Sequence, residues 1–187
     1  MQPTRNTLSE NIRAQSVELL NKPLAAAIDL HAQVKQAHWN VRGPSFIAIH
    51  ELFDKVATEV ESYSDLIAER AGGLGGTAYG TIQVAAERSF LVPYPLGIAD
   101  EQEHVFAVSG TLAAFGQSAR EAIDQAATFG DADTADLFTE ISRGHRPSIM
   151  VRRIPHRPQE MITAYGDAPE LHDHIATAVN ESVAEAK

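Results

Sequence analysis

The sequence predicts an all-α protein whose first 144 residues fold as a four-helix bundle. Three observations carry that reading. Apolar residues recur at helical spacing almost throughout residues 1–144. Turn chemistry interrupts the pattern at Arg42-Gly43-Pro44-Ser45 and again at Gly72-Gly73. One long link, rich in Gly and Pro, separates the second helix from the third, and a link of that length allows a crossover connection. A chain of 187 residues is one domain by length and can bury a continuous core without staples.

The first helix is expected over residues 7–41, on Leu8, Ile12, Val17, Leu20, Leu24, Ala27, Ile28, Leu30 and Val34. Pro23 falls inside it and lacks a donor N–H, which predicts a kink or a local opening. The Gly43-Pro44 pair stops this helix, and Ser45 is the expected N-cap of the next. The second helix runs over 46–71 and ends at Gly72-Gly73. The link over 74–96 carries Gly75, Gly76, Gly80, Pro93 and Pro95, with room for a short helix at 81–88. A third helix follows over 99–128, and a fourth opens near 131–134. No internal repeat or low-complexity stretch interrupts this order.

Composition narrows the function classes. The chain is 44% hydrophobic and 21% charged, ordinary for a globular protein. It has no Cys, which excludes a disulfide scaffold, Cys-ligated metal and a thiol nucleophile, and fits a reducing compartment. The polar opening MQPTRNTLSENIRAQS lacks a secretory pattern, and no apolar run approaches the roughly 18 residues of a membrane span. A cytoplasmic protein without membrane contact is expected. The formal charge of −10 argues against nucleic-acid binding through the overall field.

The chemistry concentrates around the second helix, at His38, His50, Asp54, Glu61, Asp65 and Glu69. His50/Asp54 and Asp65/Glu69 are each spaced i, i+4, so each pair can present two ligands to one ion. Asp54 and Asp65 lie 11 residues apart, close to three turns, which puts both pairs on one face. Imidazole with carboxylate and no sulfur suits Fe(II), Mn(II) or Zn(II). His50 and Glu69, 19 positions apart, are separated by roughly 28 Å of helix and cannot share an ion within one chain. An antiparallel copy across a two-fold axis would bring one chain's His50/Asp54 beside the other's Asp65/Glu69. By spacing alone, a solvated acidic face is the competing reading, His38 can be a packed or capping residue, and Glu61 has no assigned role.

The stretch KQAHWNVRGPSF over 35–46, followed by HELFD over 50–54, resembles the signature of the Dps family, the ferritin-like proteins named for DNA protection in starved cells. DLIAERAGGLGG over 65–76, Tyr94-Pro95-Leu96 and Asp133-Thr134-Ala135-Asp136 extend the resemblance over roughly residues 8–144. It implies a ferritin-like four-helix bundle with the short helix of the long link at a two-fold interface. It also implies an intersubunit two-iron ferroxidase centre. By the same resemblance His38, His50 and Asp54 come from one chain, Asp65 and Glu69 from its mate, and Trp39 sits beside the site to quench radicals or shield the ions. The implied activity is oxidation of Fe(II), preferably by hydrogen peroxide, with Fe(III) stored inside a homo-dodecamer. Asp136 matches the acidic position lining the family's three-fold pores. Asp131 and Asp133 read instead as helix N-caps.

DNA binding varies within the family. Members that bind DNA often carry a mobile Lys-rich N-terminal arm, whereas this N-terminus has only Arg5 and Arg13 before Lys22, against Glu10 and Glu18. Residues 1–144 hold 10 Lys and Arg against 19 Asp and Glu, a net −9, so direct contact with phosphates is disfavoured. The alternatives to a ferroxidase are a nucleoid-associated structural protein that compacts DNA and a shell whose site is inactive.

After Gly144 the helical pattern breaks into HRPSIMVRRIPHRPQ, with Pro147, Pro155 and Pro158, none of which suits a helix interior. The family's fourth helix normally continues here with a Leu-Trp-Phe core. Codons for Ile149-Met150-Val151 force a Trp in another reading frame, and allow Leu before it and Phe after it. The expectation is a domain over 1–144 and an atypical tail over 145–187 translated out of frame after a one-base insertion, so that the fourth helix loses its end. Under it, His145, His156, His172 and His174 are accidents of frame. The alternative is a divergent basic arm using Arg146, Arg152, Arg153 and Arg157.

Overall fold

A computed structural model describes residues 1–144. The readings made on residues 145–187 lie outside the described residues. Five helices follow in order: α1 (Glu10–Asn40), α2 (Phe46–Gly73), α3 (Ile82–Arg88), α4 (Glu101–Phe129) and α5 (Ala132–Gly144). Four form the bundle, and α3 is the short helix of the crossover. Among the described residues the only extended pairing is an isolated parallel bridge between Arg42 and Asp100.

Helix α1 is the axis of the packing, touching α2, α3 and α4, while α5 packs mainly on α4. Its buried stripe, Leu20, Leu24, Ala27, Leu30, Val34 and Ala37, keeps the three-and-four spacing of one helix face. Phe53, Val60 and Ile67 of α2, Val108, Leu112 and Phe115 of α4, and Phe138 and Ile141 of α5 complete the core. Each large side chain so enclosed contributes about 1.5–3 kcal/mol relative to exposure.

Helix α1 runs through Pro23 without opening, so of the kink or opening expected there the opening does not occur. Pro23 is itself buried, and packing along the rest of the helix outweighs one missing hydrogen bond. Ser9 caps the start, its hydroxyl accepting from the Ile12 amide at 3.4 Å.

The end of α2 also departs from expectation. The helix continues through Gly72 and Gly73, and Leu74, completely buried, draws the last turn into the core. Gly75 then turns left-handed at φ 81°. The Gly76 amide bonds to the Ala71 carbonyl and the Gly75 amide to the Gly72 carbonyl, the paired closure of a Schellman motif.

Polar side chains of α1 hold the crossover in place. Asn21 donates to the Thr77 carbonyl and accepts from the Tyr79 amide. Asp29 accepts from the Ser89 hydroxyl at 2.5 Å, and Gln33 donates to the Val92 carbonyl at 3.1 Å. Thr81 caps α3, accepting from the Val84 amide.

Candidate metal centre

The end of α1 and the start of α2 meet through two histidines. Nδ1 of His38 lies 2.9 Å from the His50 carbonyl, and Nδ1 of His50 lies 2.9 Å from the His38 carbonyl. A carbonyl only accepts, so each Nδ1 must carry the proton. That makes Nε2 of each ring the nitrogen available to a metal, the orientation that a carbonyl partner imposes on ligating histidines. The rings stack with centroids 3.7 Å apart, and Phe46 lies 5.0 Å from His50.

Asp54 joins them one turn beyond His50. Its Oδ1 is 3.9 Å from His38 Nε2 and 2.7 Å from Lys35 Nζ. The hydrogen bond and charge of Lys35 hold the Asp54 carboxyl below the ordinary carboxylate range, with smaller help from His38 and His50 against a small opposing effect of desolvation. Lys35 also stands 5.9 Å from the ring of Trp39. Trp39 is 68% exposed, beside exposed Phe46 and Ile47.

Asp65 and Glu69 are exposed on α2, well removed from the histidines along the helix. Asp65 lines a groove of about 600 Å³ together with Glu61, Thr58, Ser62 and, on its apolar side, Leu24 and Ile28. Glu61 therefore sits in the same groove as Asp65. Among the described residues of one chain, no three His, Asp or Glu side chains converge as a ready metal site. His38 stacks on His50 and lies 3.9 Å from Asp54, without the three converging on one point, and Asp65 with Glu69 stands apart along α2.

Two parts of this architecture have no local signal in the sequence. Ser45 makes no side-chain cap; its amide instead donates to Glu101 of α4 at 2.9 Å. Gly43 is required beneath that contact, since a Cβ there would run into the Glu101 carboxylate. The other is Lys35, found 19 residues from the carboxylate it contacts.

Asp131 caps α5 as expected, accepting from the Thr134 amide and hydroxyl at 3.1 and 2.7 Å. Its second oxygen-bound partner is Arg70, 2.6 Å away, next to Glu69 on α2. Burial acts to raise the Asp131 carboxyl, but the hydrogen bonds from Thr134, the nearby Ser16 hydroxyl and the Arg70 charge outweigh it and hold it low. Asp133 is not a cap. It lies within the first turn of α5, 81% exposed and 3.5 Å from Arg70. Asp136 is exposed on α5.

The Ferritin-like domain family matches residues 17–149. A DNA protection during starvation protein of Agrobacterium fabrum is 41% identical over 140 residues, covering 75% of this chain and 86% of its own. This chain is a member of the Dps family. Among solved structures, DpsC from Streptomyces coelicolor superposes with a TM-score of 0.77 at 28% identity, over 84% of this chain and 93% of its own. Dps from Microbacterium arborescens, solved in a high iron form, gives 0.71 at 31% identity, over 80% and 97%. Like these Dps proteins, the chain is a bundle of helices, and among its described residues none is long and apolar enough to cross a membrane.

Proposed function

We propose that this Dps-family protein oxidises Fe(II) with hydrogen peroxide at a centre shared between two copies of the chain, and stores the Fe(III) inside a shell of twelve. The observation that carries the reading is the reciprocal histidine lock. Two imidazoles whose Nδ1 atoms are fixed on backbone carbonyls, leaving Nε2 as the ligating nitrogen, beside a carboxylate, are a preorganised half-site for a borderline metal such as iron. Iron here is substrate and cargo, bound as a pair.

The other half-site is Asp65 and Glu69 of a second copy. The exposed apolar side chains Trp39 and Ile47 near the histidines, and Ile82 on α3, give that copy a surface to cover. Carboxylates favour the more highly charged Fe(III), which favours loss of an electron. Two irons held close can each give one electron to one peroxide, yielding two hydroxides and no free hydroxyl radical. Asp136 supplies negative charge for iron entry at a three-fold pore. A Dps relative solved in a high iron form supports iron as the cargo.

DNA is protected, on this reading, by removing iron and peroxide, without direct contact. The N-terminal segment and the first turn of α1 are both fastened beyond the end of α2: the Gln2 amide donates to the Gly75 carbonyl at 2.7 Å, and Arg13 of α1 donates from Nη1 to the Leu74 carbonyl at 2.9 Å. With the net −9 of residues 1–144, this disfavours a basic arm reaching for phosphates. The test is ferric absorbance after mixing Fe(II) and peroxide with the assembled protein. Replacing Asp65 and Glu69 by Ala should abolish the fast phase, and unchanged kinetics in an intact assembly would refute the shared centre.

A further inference from the structure

Tyr94, in the crossover, ends on a histidine. Its phenolic oxygen lies 2.5 Å from Nδ1 of His104, near the start of α4, with the rings 6.2 Å apart and 21° from parallel. His104 is 1% exposed. Burial lowers its proton affinity against the raising influence of Glu103, Asp100 and the Asn40 carbonyl. The ring is therefore neutral at neutral pH and has one nitrogen free to take a proton. Nε2 of His104 is buried without a hydrogen-bond partner, so the close contact of Nδ1 with the Tyr94 hydroxyl is the ring's polar anchor, and in the tautomer protonated at Nε2 it is Nδ1 that accepts from Tyr94.

Asn40 directly follows Trp39, about 3.8 Å further along the Cα trace. The Lys35 ammonium near the Trp39 ring disfavours positive charge resting on the indole, because like charges repel. Removing an electron from a phenol demands that its proton leave, and a base at hydrogen-bond distance provides for this. The Tyr79 ring is covered by the Arg88 guanidinium, whose charge disfavours a hole there. Tyr63 has one in Glu59, but lies 13 residues beyond His50, about 20 Å along α2.

We propose that Tyr94 and His104 form a redox-active pair that takes up a one-electron hole from Trp39. An oxidant of the hydroxyl-radical class, formed when one Fe(II) gives a single electron to peroxide, removes an electron from the Trp39 indole and leaves as hydroxide. Tyr94 returns an electron to that indole while its phenolic proton moves to His104 Nδ1. The products are a neutral tyrosyl radical and an imidazolium. Another Fe(II) gives back the electron and becomes Fe(III), and the proton returns to Tyr94. The source of the hole rests on the iron chemistry proposed above; the pair itself does not.

The pair is tested first on metal-free protein, flash-oxidised with photogenerated ruthenium(III) tris-bipyridine and followed by transient absorption and freeze-quench EPR. A tryptophanyl signal should decay into a tyrosyl one, more slowly in heavy water. In Tyr94→Phe, with helix content checked by circular dichroism, the tyrosyl signal should be lost and the tryptophanyl signal should persist. A tyrosyl signal of equal yield in Tyr94→Phe, or none in the unaltered protein, overturns the proposal. A merely structural tyrosine would leave the partition between the two radicals unchanged. Repeating the comparison with Fe(II) and peroxide separates the two claims, since missing ferric absorbance counts against the iron centre while the flash result still judges the pair.

Discussion

Asp131→Ala is the substitution whose cost the structure sets out most fully. It removes the cap of α5, and loss of a side-chain N-cap costs about 1 kcal/mol. It also strips the Arg70 guanidinium of its close partner at 2.6 Å. Breaking a buried ion pair by deleting one member costs about 3–5 kcal/mol. Arg70 is 17% exposed and retains Asp133 at 3.5 Å, so the lower end applies and the total with the cap is about 4 kcal/mol. Asp131→Asn keeps the cap and loses only the charge, for about 2 kcal/mol. At roughly 2–4 °C per kcal/mol, the Ala variant should melt about 8–16 °C lower. The measurement is urea unfolding at fixed protein concentration, because assembly adds its own concentration-dependent stability. The sign of the pH effect follows from the lowered Asp131 carboxyl: its contribution is whole above the ordinary carboxylate pKa and is lost as pH falls through its depressed one. The acid limb of the stability profile should therefore flatten in both variants. Stabilities within about 0.5 kcal/mol of the unaltered protein would refute the account of this corner.

Lys35→Gln should free the Asp54 carboxylate, let its proton affinity rise toward the ordinary value, and tighten Co(II) binding at the histidine half-site. The pair is surface-exposed and screened by solvent, so the gain in a titration should be small, on the order of a few-fold. Gly76→Ala would drive a Cβ into the Val17 side chain and should cost about 1–3 kcal/mol by denaturant unfolding. The tail carries its own prediction. The family match ends at residue 149, and resequencing the gene should reveal a one-base insertion near the Gly144 codon. The present reading confirmed in both DNA and intact mass would end that hypothesis, whereas restoring the frame should raise thermal stability and promote the twelve-subunit assembly.

The bundle was legible because its information is local. Leu20, Leu24, Leu30 and Val34 declare a buried face at a period no strand shares. Helix ends were less legible where tertiary contacts decide them. Gly72 and Gly73 read as a terminator, yet burial of Leu74 carries the helix past both, and the left-handed turn falls at Gly75. Ser45 read as a cap, but its partner Glu101 lies 56 residues away. At the candidate metal centre, residue types and spacing singled out the residues proposed as ligands, while the mutual lock of His38 and His50 depends on backbone carbonyls that no residue type announces. Lys35 stayed hidden for a like reason: it looks like any surface lysine until the fold lays it against Asp54.

The stapling of the crossover by Asn21, Asp29 and Gln33 has a consequence in time. The segment contains one helix of 7 residues, far below the roughly 12–15 needed for even marginal independent stability. Its order is borrowed from α1 across sequence separations of 56–60 residues. Closing a loop of that size costs about 3.5 kcal/mol of chain entropy, so the staples can form only once α1 is already a helix ready to receive them. Amides across residues 77–92 should then exchange with solvent as one unit, at a free energy below that of global unfolding. The chain gains its order helices first and crossover last, and gives it up in reverse.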